Sequence, residues 1–473
     1  MTQSSFLSYV GIARDSTNAS LAAAVAVGAT SYYLYDTTGT PTSAMTMFIV
    51  DGVNSEQVAV TAYTAVSNLI TAAACVYAHS ANAYVYFQLT ASTGPTAWLP
   101  VTSLDFQDDI TQLYDKGYRG NNVEVYGAVQ GQRISTISIG GDLSADTIGY
   151  FLASAVGLPD YVATVASTTP STWTFAAYNK LTTQPTPFIF YDFNPAGNAP
   201  GLTAGNMRVY AMGSVSDLTL NFDPGALITY KATVKAMSSG VLTGTIPTKS
   251  FTAYKPVPAR TAVVTTSIKR TPTAVAATTM TLASVAGLMP GMSVTGAGVS
   301  NCTIASIAGL IVTLQGTTTV ATVSSYVFST PENKALTAEI SFKRGEFGPV
   351  TTLDGTADPM QIYSGPLAVT GKMTLVVDDD AQFQNYLYQT QPAFNLSALQ
   401  GTAEFVNGIA IQVTQANYEN LKLMQTGKGY ITLEVPFTAL ANSTDGNTAG
   451  GGSSPAKVTL SVGTNTGSAT TPY

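Results

Sequence analysis

Charge is the scarcest property of this 473-residue chain. Asp, Glu, Lys and Arg together make 10% of it, against about 25% in an ordinary soluble protein. Lys and Arg number 20 and Asp and Glu 27, a formal net charge of −7. The broad basic footprint that grips nucleic acid is therefore missing. Histidine occurs once, as His79. A Ser-His-Asp or Cys-His enzyme would have to use that residue, and a His-rich metal site is excluded. Two cysteines, Cys75 and Cys302, lie far apart in the chain, so no disulfide framework is implied. Both read as small buried apolar residues. The two tryptophans, Trp98 and Trp173, are too isolated to form a base-stacking platform. Long apolar runs are missing too: residues 20–28 are Ala-rich and far too short to span a bilayer. The first residues lack the charged start of a signal peptide, so synthesis and folding in a cytoplasm, away from membranes, are expected.

Motifs of catalysis are equally scarce. No P-loop, dinucleotide-binding glycine fingerprint, CxxC pair or HExxH occurs, and GxSxG is absent. No catalytic residue, cofactor or metal is indicated. Asp378-Asp379-Asp380 reads as a helix cap rather than a cation site. Asp354-Gly355-Thr356-Ala357-Asp358-Pro359 reads as a turn, because it lacks the length and terminal Glu of an EF-hand loop. His79, after Val76-Tyr77-Ala78, reads as a surface or turn residue.

What the chain does have is β-forming residues, with 25 Tyr and 18 Phe among 45% hydrophobic residues. Residues 228–236 alternate, with Thr and Lys on one face and apolar side chains on the other. Ile431, Leu433, Val435 and Phe437 repeat the pattern, and Leu367, Val369, Met373 and Leu375 mark another strand. The fold class is all-β. The Lys231 and Lys235 face reads as the solvent side of a strand, or as pairing with acidic residues across a subunit boundary, with contact to nucleic acid as the lesser alternative. So few charges leave much neutral surface, a sign that other subunits cover it.

Helical spacing occurs twice. Ile148, Phe151, Leu152 and Ala155 form one stripe, with Ser144 and Asp146 as candidate caps and Gly157 and Pro159 as the stop. Phe383, Tyr386 and Leu387 form the second. Each helix follows a strand (134–142, 367–377) and precedes a strand pair (215–222 with 226–237, 409–414 with 429–438). This order suggests an internal duplication. Residues 27–88 and 265–330 read as small β modules, short strands broken by Gly and Asn turns. The expected division is a first large domain at 1–26 and 89–264, the modules at 27–88 and 265–330, and a second large domain at 331–441. Residues 442–473 follow as a Gly/Ser-rich flexible linker with a C-terminal strand.

The run Trp98-Leu99-Pro100-Val101-Thr102-Ser103-Leu104-Asp105-Phe106-Gln107-Asp108-Asp109 leads to Leu113-Tyr114-Asp115-Lys116-Gly117-Tyr118-Arg119-Gly120. Ile139-Gly140-Gly141-Asp142-Leu143 and a short helix follow, then Asp217-Leu218-Thr219-Leu220-Asn221-Phe222-Asp223-Pro224-Gly225-Ala226. This resembles the major tail tube proteins of long, flexible-tailed (siphovirus-type) bacteriophages. Residues 335–440 resemble the second tube domain of larger members, through Ser364-Gly365-Pro366-Leu367-Ala368-Val369-Thr370-Gly371 and Ile431-Thr432-Leu433-Glu434-Val435-Pro436-Phe437. The inserted modules depart from the simplest members.

The resemblance implies two tandem tail-tube β-sandwich domains, whose inner sheets join into a ring-shaped β-barrel. It implies a structural virion protein of the tail, made in the host cytoplasm, that carries no catalysis. Three copies with two domains each would make a pseudo-sixfold ring, and six copies per ring are the alternative. Rings would stack head to tail. A tape measure protein and a tail terminator are implied partners. Double-stranded DNA would pass without specific binding along a neutral or net-negative wall. Asp105, Asp108, Asp217 and Asp223 are the candidate lumen-facing acids. Lys343, Arg344, Glu346, Phe347 and Asp354 form the candidate loop toward the next ring. Competing readings are another β-rich virion part (baseplate hub, tail terminator or decoration protein), a surface adhesin, or a carbohydrate-active enzyme using two carboxylates.

Overall fold

The structure is a computed structural model. It describes residues 9–463 apart from 35–44, 51–55, 65–66, 82, 89–94, 96, 118, 120–122, 158, 163–170, 178, 180–184, 186, 194–203, 238–239, 246–254, 317–322, 332–333, 346–347, 351–358, 360, 378, 403–404, 426–428 and 449–450. Strands dominate, with two short α-helices among the described residues, α1 (Ile148–Ala155) and α2 (Ala381–Leu387).

A long antiparallel sheet runs through the whole chain. Ser103–Asp115 pairs with Gly127–Asp142, which pairs with Thr229–Ala236, which pairs with the last part of Ala204–Phe222. That strand pairs in turn with Ala335–Arg344, and the sheet continues through Leu367–Val376 and Ile431–Ala439. It ends on two short pieces, Ala416–Tyr418 and Lys422–Gln425. Counted in chain order within each half, the spatial order is first, second, fourth, third, and it is the same in both halves. A helix follows the second strand each time.

Alternation explains why these segments are strands. At the junction of the halves, Leu218, Leu220, Ile340 and Phe342 are fully buried on one face. Thr219 and Ser341 share the other face, their hydroxyls 3.0 Å apart. Each buried side chain of this kind contributes roughly 1.5–3 kcal/mol, so the junction is a core and not a hinge.

A second sheet lies behind each half. In the first its order is Ala97–Leu99, residues 9–14, Phe188–Phe193, residues 204–213 and Gly240–Thr245. In the second it is Tyr326–Pro331, Ala262–Arg270, Ala393–Thr402, Phe405–Val413 and Lys457–Val462. The order is again shared. One apolar cluster fills both sandwiches, from Val10 and Ile12 to Leu460 and Val462.

One strand of each half crosses between sheets, and each crossing leaves a backbone amide outside the ladders. Ala204–Phe222 crosses at Met212, which has φ 50, and at Gly213, where a Cβ would meet the Phe190 ring at 2.6 Å. The Val215 amide then donates to Ser154 Oγ of α1 at 2.9 Å. In the second half the crossing falls between Phe405–Val413 and Ala416–Tyr418. There Asp445 accepts from the Thr414 amide and hydroxyl, both at 2.7 Å.

The modules repeat as well. Residues 15–20, Tyr84–Gln88, Thr46–Val50, Glu56–Thr64, Leu69–Ala72 and Ser31–Tyr33 are neighbours in that order. Residues 265–270, Tyr326–Pro331, Ser293–Gly296, Val299–Ala308, Ile311–Gln315 and Thr279–Thr281 follow the same order. Each module has its own core and enters at the same point of its sandwich. The duplication thus covers sandwich and insert together.

Several expectations need correction. The 409–414 segment lies in the second sheet, and its place in the long sheet is taken by Ala416–Tyr418 and Lys422–Gln425. Residues 262–267, divided in the expected domain scheme between the first domain (to 264) and the module (from 265), pair with residues 393–398 of the second sandwich. The 442–455 stretch is no flexible linker. Asn442 and Ser454 exchange backbone hydrogen bonds at 3.0 and 2.9 Å, and Asp445 is fully buried. Lys457–Val462 then bridges Phe405–Val413 to Ser171–Ala176 of the first half. His79 is no surface residue: it is buried, with Nε2 2.7 Å from Glu56 Oε1.

Candidate functional site

No cluster of three or more His, Cys, Asp or Glu side chains among the described residues could hold a metal. No helix among them is long and apolar enough to cross a membrane. The long sheet carries a polar face.

Register builds that face row by row. One row crosses Asp105, Ser138, Thr233, Asp217 and Lys343. The next crosses Ser103, Gly140, Lys231, Thr219, Ser341, Thr370 and Thr438. A third crosses Asn221, Glu339 and Lys372. Lys343 Nζ lies 3.7 Å from Asp217 and Lys372 Nζ 3.6 Å from Glu339, so acids and bases meet across strands. Both pairs are half-open to solvent, where such contacts are worth at most about 1 kcal/mol. Their effect is to neutralise the face rather than to hold it together. Lys235 Nζ donates to Thr136 Oγ1 at 2.6 Å.

The four acids expected on this face separate. Asp105 and Asp217 lie on it. Asp108 turns to the opposite side, where the buried Ser135 hydroxyl donates to it. There it joins Arg208 and Tyr210 at the root of the 103–142 hairpin. Burial, with Asp108 next, pushes the Tyr210 hydroxyl up to about 12. The Tyr210 hydroxyl is the main cause that raises the Arg208 guanidinium. Asp109, not Asp108, shares the polar face, accepting from Gln107 Nε2 at 2.6 Å and Thr136 Oγ1 at 3.3 Å. Asp223 lies in the turn after its strand, accepting from the Gly225 amide at 3.0 Å. Glu339, Lys372 and Lys422 went unremarked, although the alternation of 335–344 carries the first of them.

The proposed inter-ring loop also separates. Lys343 stays in the sheet. Arg344 turns inward and donates from Nε to Ala155 O at 2.6 Å and from Nη2 to Val156 O at 2.7 Å, at the C-terminal end of α1. Desolvation pushes its guanidinium down to about 10, which leaves it charged at neutral pH. Glu346, Phe347 and Asp354 lie outside the described residues. The hairpin beyond Arg344, Gly348–Val350 with Gln361–Tyr363, returns to its own chain, where Ile362 packs with Tyr191, Val209 and Met237 of the first half.

No known family model matches the chain, and no curated protein does.

The polar face ends in two open edges. Ser103–Asp115 lacks a partner on its outer side among the described strands, and so does Lys422–Gln425. These are the first strand of one half and the third of the other. The same pair of strand types is already joined once inside the chain, between residues 217–222 and 338–343.

Proposed function

We propose that the chain is the wall unit of a hollow tube, the tail tube of a long-tailed bacteriophage. It assembles as stacked rings through which the genome passes to the host. The observation that carries this reading is the joint inside the chain. First strand meets third strand at Asp217–Lys343, and the same two kinds of edge are open at the ends. A second copy repeating that joint extends the sheet, and repetition with a closing rotation gives a ring. Closure also removes edges that would otherwise template aggregation.

Three copies supply six sandwich units and about twenty-four strands, well above the roughly 16 to 18 at which barrels enclose an aqueous channel. Six copies per ring is the alternative outcome. The polar face then lines the channel. DNA binding draws its strength from Lys and Arg that displace counterions. Here Lys343 and Lys372 already face Asp217 and Glu339, so the wall gives a duplex little to hold. The modules continue strands of the second sheets, at residues 15–20 and 265–270, and not strands of the long sheet that carries this face. A tape measure protein in the lumen and a terminator at the tube end complete the proposed set of partners, and the virion tail is the proposed location.

Electron microscopy of the purified protein tests the reading. Hollow filaments of uniform width are expected. Solid fibres, flat sheets or closed shells at assembling concentrations would contradict it.

A further inference from the structure

Two like helices in this chain meet very different surroundings. Every residue of α1 is buried. On α2 the polar Gln382 and Asn385 are buried instead; of its apolar stripe, Tyr386 packs partly buried on the core, while Phe383 and Leu387 are 48% and 57% exposed and Tyr388, just beyond the helix, is 68% exposed. Two of the three stripe residues are therefore outside. Leu423 shows the same contrast. It occupies the sheet position that Leu220 holds in the first half, opposite Leu433 where Leu220 is opposite Tyr230. Leu220 is fully buried and Leu423 is 60% exposed.

What covers α1 is the second half of its own chain. Ala335–Arg344 lies against it, and Arg344 binds its last carbonyls. The halves can be aligned on two equivalent bonds, the Leu143 amide to Ile228 O and the Val377 amide to Ile431 O. In that alignment Ile110, opposite Arg133, takes the place of Arg344, opposite Leu367. The connections that follow, residues 111–132 and 345–366, are then equally long. The second folds back onto the first half through Ile362. The first projects as a two-stranded hairpin whose Ile110, Leu113 and Val129 are exposed.

We infer that the α2 stripe with Leu423 is the seat of a second copy of this chain, filled by the root and hairpin of its Ser103–Asp115 strand. The occupant is fixed by the repeat, since the first half is covered in this way by the second. Edge chemistry agrees. Lys422 corresponds to Thr219, which pairs with Ser341, the counterpart of Gln107. The incoming strand thus sets Gln107 opposite Lys422, with Asp105 and Asp109 flanking it on the same face. Ile110 arrives at the C-terminal end of α2, over Leu387 and Tyr388. The interface rests on the ring proposed above and names its surfaces.

Cross-linking tests it on the full chain. Ile110→Cys and Tyr388→Cys are combined, and the assembled protein is treated with a short bis-maleimide. Native Cys75 and Cys302 are buried. Covalent products that end at closed rings are expected from the double variant, and uncoupled monomers from either single variant. Leu387→Glu, a change at an exposed position, is expected to raise the critical concentration for assembly roughly tenfold or more, with unchanged circular dichroism. Tubes that form without cross-linking overturn this interface and leave the tube reading intact. So does coupling of Ile110→Cys to Val263→Cys, in the groove at the joint between the two halves. A chain that stays monomeric at every concentration overturns both.

Discussion

Arg344 shows how a single side chain fixes the relation of the two halves. Three of its guanidinium nitrogens donate, to Ala155 O, Val156 O and Gly365 O. A cation at a helix C-terminus is favoured by the helix dipole as well. Arg344→Met keeps the chain length and removes these bonds, so it is expected to cost about 2–3 kcal/mol in urea unfolding. Arg344→Lys keeps the charge but not the fork, and is expected to recover less than half of the loss. Glu56 plays the corresponding part in the first module. Its carboxylate accepts from the Val76 and Tyr77 amides and contacts His79. Glu56→Ala leaves the buried His79 and two partly exposed amides without this acceptor and is expected to cost about 1–3 kcal/mol. Limited proteolysis should then cut first within residues 21–88 and spare the sandwiches. Neither role was legible in the sequence. Arg344 sits in a run that reads as a surface loop, and nothing local ties His79 to a glutamate 23 residues away.

At the scale of elements, the strands were the legible part. Period-two alternation places Leu218 and Leu220 inside and Thr219 outside without reference to any partner. The helices were half legible. Asp379 caps α2 as its run implies, its carboxylate accepting from the Ala381 amide, whereas Ser144 serves α1 through its backbone carbonyl and not its side chain. An apolar stripe normally marks the core, but on α2 only Tyr386 of the three stripe residues keeps to it. The buried network of Gln382, Asn385, Thr266 and Tyr418 reverses it. That network also seats the second module, where the Gly287 amide donates to Gln384 Oε1 at 3.2 Å. Gly287 has φ +77, and a Cβ there would lie 2.0 Å from Asn385 Oδ1. Gly287→Ala is expected to cost about 1–3 kcal/mol, read as a lower melting temperature. The C-terminal strand gives a sharper contrast. Deleting residues 442–473 should be harmless if they are a linker. Because Val458, Leu460 and Val462 are core and Asp445 satisfies Thr414, the truncated chain is expected to be insoluble or to lose cooperative unfolding.

At the scale of the whole molecule, the sequence carried the order of elements but not their equivalence. Residue identity between the halves is low, so the sequence suggests the duplication only through the order of strands and helices, and the hydrogen-bond register extends it to sandwich, helix and inserted module. The same register reveals which edges match. The sheet faces one way with hydroxyls and paired charges and ends in two complementary open strands. A chain with 10% charged residues has little electrostatic means to stay apart, and the repeat supplies a geometry for coming together. The central claim is that each chain fills two positions of a ring. The most direct test is to count chains around the ring in end-on class averages of the assembled protein. The account predicts three chains, each appearing as two similar lobes, around a channel lined by the face that carries Thr219 and Ser341. Rings in which each chain contributes one lobe, or in which that face points outward, would contradict it.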